Sequence, residues 1–176
     1  AAGIRVLAGP AAQISGQDAT GVALVQGETT LTASLVVQAD GRPNKEVNRT
    51  YTQVALLTQA SASLPRQCWA FERFTREGPL AILPHPEARD QQSIVWCCTP
   101  ERAGYLQTLS PADFSRALTD MFGTRLGTLT VERPVAAFPL VLNLNEQPVS
   151  GRRVSIGNAA QTLHPVAGQG LNLGLR

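Results

Sequence analysis

The sequence predicts an α+β fold in which a mostly antiparallel central sheet is covered by an amphipathic helix. Short apolar stretches recur from Tyr51 to Leu142, each bounded by Pro, Gly or charged residues, as in strands joined by turns. The stretch from Pro111 to Phe122 changes to helical periodicity and carries stop signals at both ends. Apolar residues make up 43% and charged residues 16%, the composition of a folded chain with a core rather than of a disordered one.

In chain order, Val22 to Val25 is a strand candidate, followed by Leu31 to Val37. The latter starts in alternation at Leu31, Ala33 and Leu35 and closes on the pair Val36 and Val37. It is read as one strand running into a buried sheet and ending at the turn Asp40-Gly41. Further strands are expected at Val54 to Leu57, Ala70 to Phe74, Leu80 to Leu83, Ser93 to Cys98 and Val135 to Leu140, with a last short one at Val154 to Ile156. Phe71, Phe74, Leu80 and Ile82 are expected inside the sheet. In the Cys97-Cys98 pair, strand alternation should bury one thiol, and both are read as structural. For the helix, Ser110 is the N-cap, Pro111 the first helical residue and Asp113 the acid of a capping box. Phe114, Leu118, Met121 and Phe122 form one stripe, and Gly123 supplies the stop.

The 176 residues suffice for one domain, or for a core with pieces of a neighbouring domain. Lys45 is the single lysine among fifteen basic residues spread along the chain, so nucleic-acid binding is not expected. Cys68, Cys97 and Cys98 lack CxxC spacing, and with only His85 and His164 beside them no metal site is expected. This cysteine usage fits a reducing compartment. No apolar run approaches the roughly 18 residues of a bilayer span, which leaves peripheral membrane contact at most. The start at Ala1 and the stop at Arg176, inside a Gly-punctuated apolar stretch, suggest a fragment of a longer protein.

The stretch with most chemistry is Gly157 to Gly174, GNAAQTLHPVAGQGLNLG, where a strand ends in a loop and a glycine-rich turn opens a helix. Glycines let a ligand approach the backbone, and N–H groups at a helix start stabilise negative charge. Taken alone, such glycines more often serve tight helix packing than a ligand. His164 has two readings, a contact to a ring or substrate and a hydrogen-bonded structural role. His85, between two prolines, is read as a loop residue, and Asp113 and Asp120 as helix surface.

This stretch resembles the class A flavoprotein monooxygenases typified by para-hydroxybenzoate hydroxylase, whose late flavin motif runs GDAAHxxxPxxGQGxNxG. Gly157, Ala159, Ala160, Pro165, Gly168, Gln169, Gly170, Asn172 and Gly174 match without a gap. Asn158 replaces the family's Asp and Gln161 its His. Asn keeps a hydrogen-bonding carbonyl but loses the charge. With these departures the wording is similar to the ubiquinone-biosynthesis subgroup that hydroxylates polyprenyl phenols. Asp40-Gly41 resembles the family's DG motif, with Asn44 and Val47 in place of its usual Ser and Arg. Ala70 to Pro84 resembles the subgroup's substrate-domain strands.

The resemblance implies FAD as cofactor, NAD(P)H as co-substrate with oxygen, and a phenol like 2-octaprenyl-6-methoxyphenol as substrate. It implies that Asp40 and Gly41 approach FAD and the nicotinamide donor, and that Gly157 and Asn158 meet the ribityl chain. Pro165, Gly168, Gln169, Gly170, Leu171 and Asn172 would lie against the isoalloxazine. Pro165 and His164 are the flavin-proximal candidates, and no catalytic residue is assigned. Residues 1–49 and 149–176 would be pieces of an FAD-binding domain flanking a substrate-binding sheet domain at 50–148. Other ubiquinone-biosynthesis proteins are expected partners, at a cytoplasmic location peripheral to the inner membrane. No GxGxxG follows a strand before Asp40, so this chain alone is expected to bind FAD weakly or not at all and to be inactive. Two alternatives stand beside this reading: a non-catalytic module for a hydrophobic ligand or partner, and another flavin oxidoreductase on the same fold.

Overall fold

The computed structural model describes residues 3–41, 48–86, 88, 90–165 and 168–175. Asn44, Lys45, Val47 and Arg176 lie outside them. The chain forms two compact units, one of Ala1–Arg49 with Leu142–Arg176 and one of Thr50–Val141. The architecture is α+β with a mostly antiparallel sheet.

In the second unit the main sheet runs in the order β10-β5-β8-β7-β6, where β5 is Asn48–Ala62, β6 Phe71–Phe74, β7 Pro79–Pro84, β8 Gln91–Cys98 and β10 Ala136–Leu144. A short strand, β9 (Leu129–Val131), pairs with the end of β5. The antiparallel register sets Leu56 opposite Trp96 and Trp96 opposite Leu80, and in the next row Thr58, Ile94, Ile82 and Phe71. Alternate residues therefore share a face. Two helices, α1 (Pro100–Thr108) and α2 (Pro111–Phe122), cover that face. Leu56, Leu80, Ile82, Ile94, Trp96, Leu106, Phe114 and Leu118 form its core, with Trp96 and Phe114 edge to face at 5.9 Å.

The start, stripe and stop of α2 act as read, while Asp113 meets the N-cap through its hydroxyl, which donates to Asp113 Oδ2 at 2.6 Å. Ser110 Oγ accepts from the Asp113 amide at 3.2 Å, Pro111 stands in the first turn, and Gly123 ends the helix at φ 89°. Two hydroxyls of α2 tie it to β9: Ser115 Oγ accepts from Val131 N at 2.8 Å and Thr119 Oγ1 from Leu129 N at 3.0 Å. These bonds satisfy strand amides that would otherwise be buried without partners.

Beyond short strands the sequence reading did not single out, the structure differs from it in several places. The stretch Leu31 to Val37 is two strands, β3 (Thr29–Ala33) and β4 (Val36–Gln38), because β3 folds back on a hairpin partner while β4 pairs elsewhere. Helix α1 escaped notice: it buries only Ala103 and Leu106 and contains Gly104, so its apolar stripe is thin. Its start was nonetheless written in Thr99-Pro100-Glu101, since Thr99 Oγ1 accepts from Arg102 N at 3.3 Å. Both thiols of Cys97-Cys98 are buried, not one, because each face of β8 is covered there. Cys98 lies in the helix-covered core, and Cys97 packs with Ala55 and Leu140 on the opposite face. Phe74 is 74% exposed rather than internal, since it ends the outermost strand, β6.

The first unit holds two small sheets. β1 (Gln13–Gln17), β2 (Val22–Gln26) and β3 form an antiparallel meander. The other has the order β11-β12-β4, with β11 Val149–Ser150 and β12 Arg153–Ser155. Arg152 bolts the meander to β4 and β12: its guanidinium donates to the carbonyls of Asp18, Ala19 and Ser34, and its amide to Gln17 Oε1 at 3.0 Å. A two-residue strand, β13 (Gln161–Thr162), pairs antiparallel with Asn143 and Leu144 at the end of β10.

Candidate flavin-binding site

β12 and β4 run parallel, with Arg153 beside Val36, Val154 beside Val37 and Ser155 beside Gln38. The Ile156 amide extends the ladder to the Gln38 carbonyl at 3.0 Å. The two motifs singled out in the sequence thus leave neighbouring strands at the same carboxyl ends, Asp40-Gly41 from β4 and Gly157-Asn158 from β12. Carboxyl ends of adjacent parallel strands are where open α/β sheets hold ligands.

A polar chain, buried at one end, supports this edge. Asn145 Nδ2 donates to Ser155 Oγ at 3.2 Å, Ser155 Oγ reaches Gln38 Oε1 at 3.5 Å, and Gln38 Nε2 donates to Asp40 Oδ1 at 3.3 Å. Asn145 and Ser155 are buried. The sequence reading missed Gln38, Asn145 and Ser155; Gln38 and Ser155 were marked only by polarity inside short strands, and Asn145 follows the end of β10.

Past β12, Gly157–Ala159 forms a 3-10 turn, opened by Gly157 at φ 57°, a conformation that costs other residues strain. The chain then passes through β13 and half-buried His164, whose loss of water holds its pKa below the ordinary 6.5. Pro165 and Gly168 follow, joined by a hydrogen bond from Gly168 N to Pro165 O at 2.9 Å. Helix α3, Gly170–Gly174, comes next and packs back on the turn. A Cβ on Gly174 would lie 3.2 Å from the Gly157 Cα, so that glycine serves close packing. Gln169 Oε1 accepts from Asn172 Nδ2 at 3.1 Å, and Leu171 is 73% exposed.

The other glycines have a different reason. A Cβ on Gly41, Gly157, Gly168 or Gly170 would meet nothing within 4 Å, and Gly170 lacks a left-handed φ as well. At Gly170 neither backbone conformation nor packing among the described residues calls for a glycine. What remains is room for a group approaching the backbone. This open turn, the Asp40 carboxylate and the Asn158 amide fit the ribityl and ring portions of a flavin, which offer hydroxyls, ring edges and a flat face. Among the described residues no three His, Cys, Asp or Glu side chains are grouped to hold a metal ion.

Comparison with known proteins gives the chain's relatives. The chain is 35% identical over 167 residues to ubiquinone hydroxylase UbiL of Rhodospirillum rubrum, covering 90% of this chain and 38% of the relative. It is 33% identical over 163 residues to 3-demethoxyubiquinol 3-hydroxylase of Escherichia coli K12, covering 86% and 40%. The chain thus spans about two-fifths of the length of these relatives. Among solved structures, pqsL of Pseudomonas aeruginosa, described as a probable FAD-dependent monooxygenase, superimposes with a TM-score of 0.69 at 18% identity. That match covers 93% of this chain and 49% of the other and shows a shared fold. A family model described as "FAD binding domain" matches residues 11–176. The parallel strand ends, the open glycine turn and this match together establish that the chain belongs to the FAD-binding-domain family.

Proposed function

We propose that the chain is the flavin-facing and substrate-domain portion of an FAD-dependent monooxygenase of ubiquinone biosynthesis, one that hydroxylates a polyprenyl phenol of the 2-octaprenyl-6-methoxyphenol kind with NAD(P)H and oxygen. The observation that carries this reading is the juxtaposition of Asp40-Gly41 and Gly157-Asn158 on the parallel pair β4 and β12, beside a turn in which neither a left-handed φ nor a contact among the described residues accounts for Gly170. The names of the relatives support the reaction class, since two are hydroxylases of ubiquinone or its precursor.

When bound, the flavin would supply the oxygen-activating redox chemistry. The residues' share is binding and orientation. Asn158 would hydrogen-bond a ribityl hydroxyl, and the backbone from Gly168 to Asn172 would lie against the ring, with Pro165 and His164 close by. Asp40, held by Gln38, would meet the cofactor side of the nicotinamide donor. The sheet face opposite the helices carries Leu57, Val95, Ala81 and Leu83 in one strip, part-exposed at Leu57 and Leu83. Such a strip suits an apolar phenol and keeps water from it.

The test is oxygen uptake by the intact gene product with NADPH or NADH and a prenylated phenol. Uptake that depends on the phenol and yields a hydroxylated product supports the reading. Flavin reduction without phenol-dependent product formation would reassign the protein to another flavin oxidoreductase.

A further inference from the structure

The sheet unit carries a groove that the flavin and phenol chemistry leaves unused. It measures about 910 Å³, the size of a small-molecule site, and lies between the turn joining β6 to β7 and the two helices. Arg73 of β6, Arg76 of the turn, Arg102 of α1 and Arg116 of α2 line it, together with Phe74 and Tyr105. The strip of Leu57, Val95, Ala81 and Leu83 that suits the phenol is on the sheet face opposite the helices. A ligand of the groove is therefore a different molecule from the phenol.

Three of the arginines are held by one group each. Arg73 Nη1 donates to the Phe122 carbonyl, Arg102 Nε meets the Glu77 carboxylate at 3.1 Å, and Arg116 Nη1 meets Asp113 Oδ1 at 3.1 Å. A guanidinium has more N–H donors than one such contact uses, so each is oriented and still able to bind a second acceptor. Arg102 is also set over the Tyr105 ring, 5.4 Å from its centroid. Arg76 is exposed on a turn that Thr75 pins, since Thr75 Oγ1 accepts from the Glu77 and Gly78 amides at 3.1 and 3.2 Å. Gly78 ends that turn where a Cβ would lie 2.6 Å from the Cys97 carbonyl oxygen, so the backbone there has little room to shift. The acids of the lining do not balance these cations. Asp113 is engaged at both oxygens, by Arg116 and by Ser110 Oγ, which leaves Asp120 as the other carboxylate against four guanidinium groups.

Planar guanidinium forks pair bidentately with phosphate, and several forks in one groove suit a group with many anionic oxygens better than a single carboxylate. The exposed rings of Tyr105 and Phe74 offer faces on which a flat base can stack. We propose that the groove binds a nucleoside diphosphate, with its phosphates on Arg76, Arg102 and Arg116 and its base on Tyr105. Such a ligand ties the β6–β7 turn to α1 and α2. The proposal does not rest on the flavin reading, because the groove lies wholly in the sheet unit, whereas Asp40 and the glycine turn belong to the other.

The test is calorimetric titration of the chain with ADP, pyrophosphate and adenosine. ADP is expected to bind, pyrophosphate at least about fivefold more weakly and adenosine not measurably, because phosphate and base each contribute. ADP should also raise the unfolding temperature, as any ligand of the folded state does. Arg76→Gln should weaken ADP binding about tenfold and Tyr105→Ala about fivefold. Arg66→Gln makes the same charge change in the loop between β5 and β6, outside the groove, and should leave binding alone. Both groove substitutions are at exposed side chains, and wild-type urea unfolding of each variant reports an intact core. Absence of ADP binding, or ADP binding indifferent to Arg76→Gln and Tyr105→Ala, would overturn the proposal. So would pyrophosphate binding as tightly as ADP, which would make the groove a bare anion patch, or tighter binding of a polyglutamate peptide, which would assign it to an acidic protein segment.

Discussion

The two units divide the work of the molecule. The sheet unit buries Trp96, Leu80, Ile82, Phe114 and Leu118 in one core, whereas among the described residues of the other unit the buried ones are Val22 and Ala159 with the polar Asn143, Asn145 and Ser155. Apolar burial of this kind is the main stabilising term in folding. A unit held by an arginine bolt and an amide–hydroxyl chain instead keeps its strand ends and glycine turn open. The difference teaches where to look for each kind of defect: stability in the sheet unit, ligand affinity in the glycine unit.

The largest effect should come from the core. Phe114→Ala removes the ring that meets Trp96 and should cost about 3–5 kcal/mol in urea unfolding. Breaking the bolt should be milder and local. Arg152→Ala frees three carbonyls and should cost about 1.5–3 kcal/mol. Hydrogen exchange would then rise across β1 to β3 and stay unchanged in β7 and β8. Equal loosening of both units would contradict the division.

The thiols give a contrast without mutation. Burial, with Glu72 adding to it at Cys97 and Glu77 at Cys98, pushes both pKa values up to about 11, while Cys68 is exposed. Native protein at neutral pH should be alkylated rapidly at Cys68 alone, and at all three cysteines once unfolded. Because the folded thiols titrate above their ordinary 9.0, their contribution to stability is complete below that pH and is lost as pH rises toward 11. The smallest effect belongs to His164. Its folded pKa lies below 6.5, so the unfolded chain binds the proton more readily, and stability is full above 6.5 and declines as pH falls below it. A His164→Gln variant should flatten that slope slightly in acid unfolding curves.

Much of the sheet unit was legible in sequence because its signals are local. α2 announces itself by Ser110, Pro111, the stripe from Phe114 to Phe122, and Gly123 within a few turns. α1 had the same kind of start but too thin a stripe to stand out. The pairing of β4 with β12 could not be read, since Gln38 and Ser155 are 117 residues apart and nothing local specifies a parallel register. That is also why Leu31 to Val37 looked like one strand: the break falls where the chain leaves one sheet for another. Phe74 shows the limit of apolar pattern itself, because a residue at the end of an outermost strand has a neighbour on one side only. The glycine turn was legible as a motif, but the reason for its glycines was not. Only the fold separates Gly174, which a neighbouring backbone crowds, from Gly170, which nothing among the described residues requires.

Gly170 therefore tests the central claim most directly. In the intact gene product, Gly170→Ala should leave stability unchanged or raise it by about 0.5–1 kcal/mol, as alanine does at a compatible helical position. FAD affinity, followed by quenching of flavin fluorescence, should fall about tenfold as the methyl fills the space a ligand approaches. Gly104→Ala in α1, equally unobstructed, should leave that affinity alone. Unaltered FAD affinity in Gly170→Ala would contradict the assignment of this turn to the flavin.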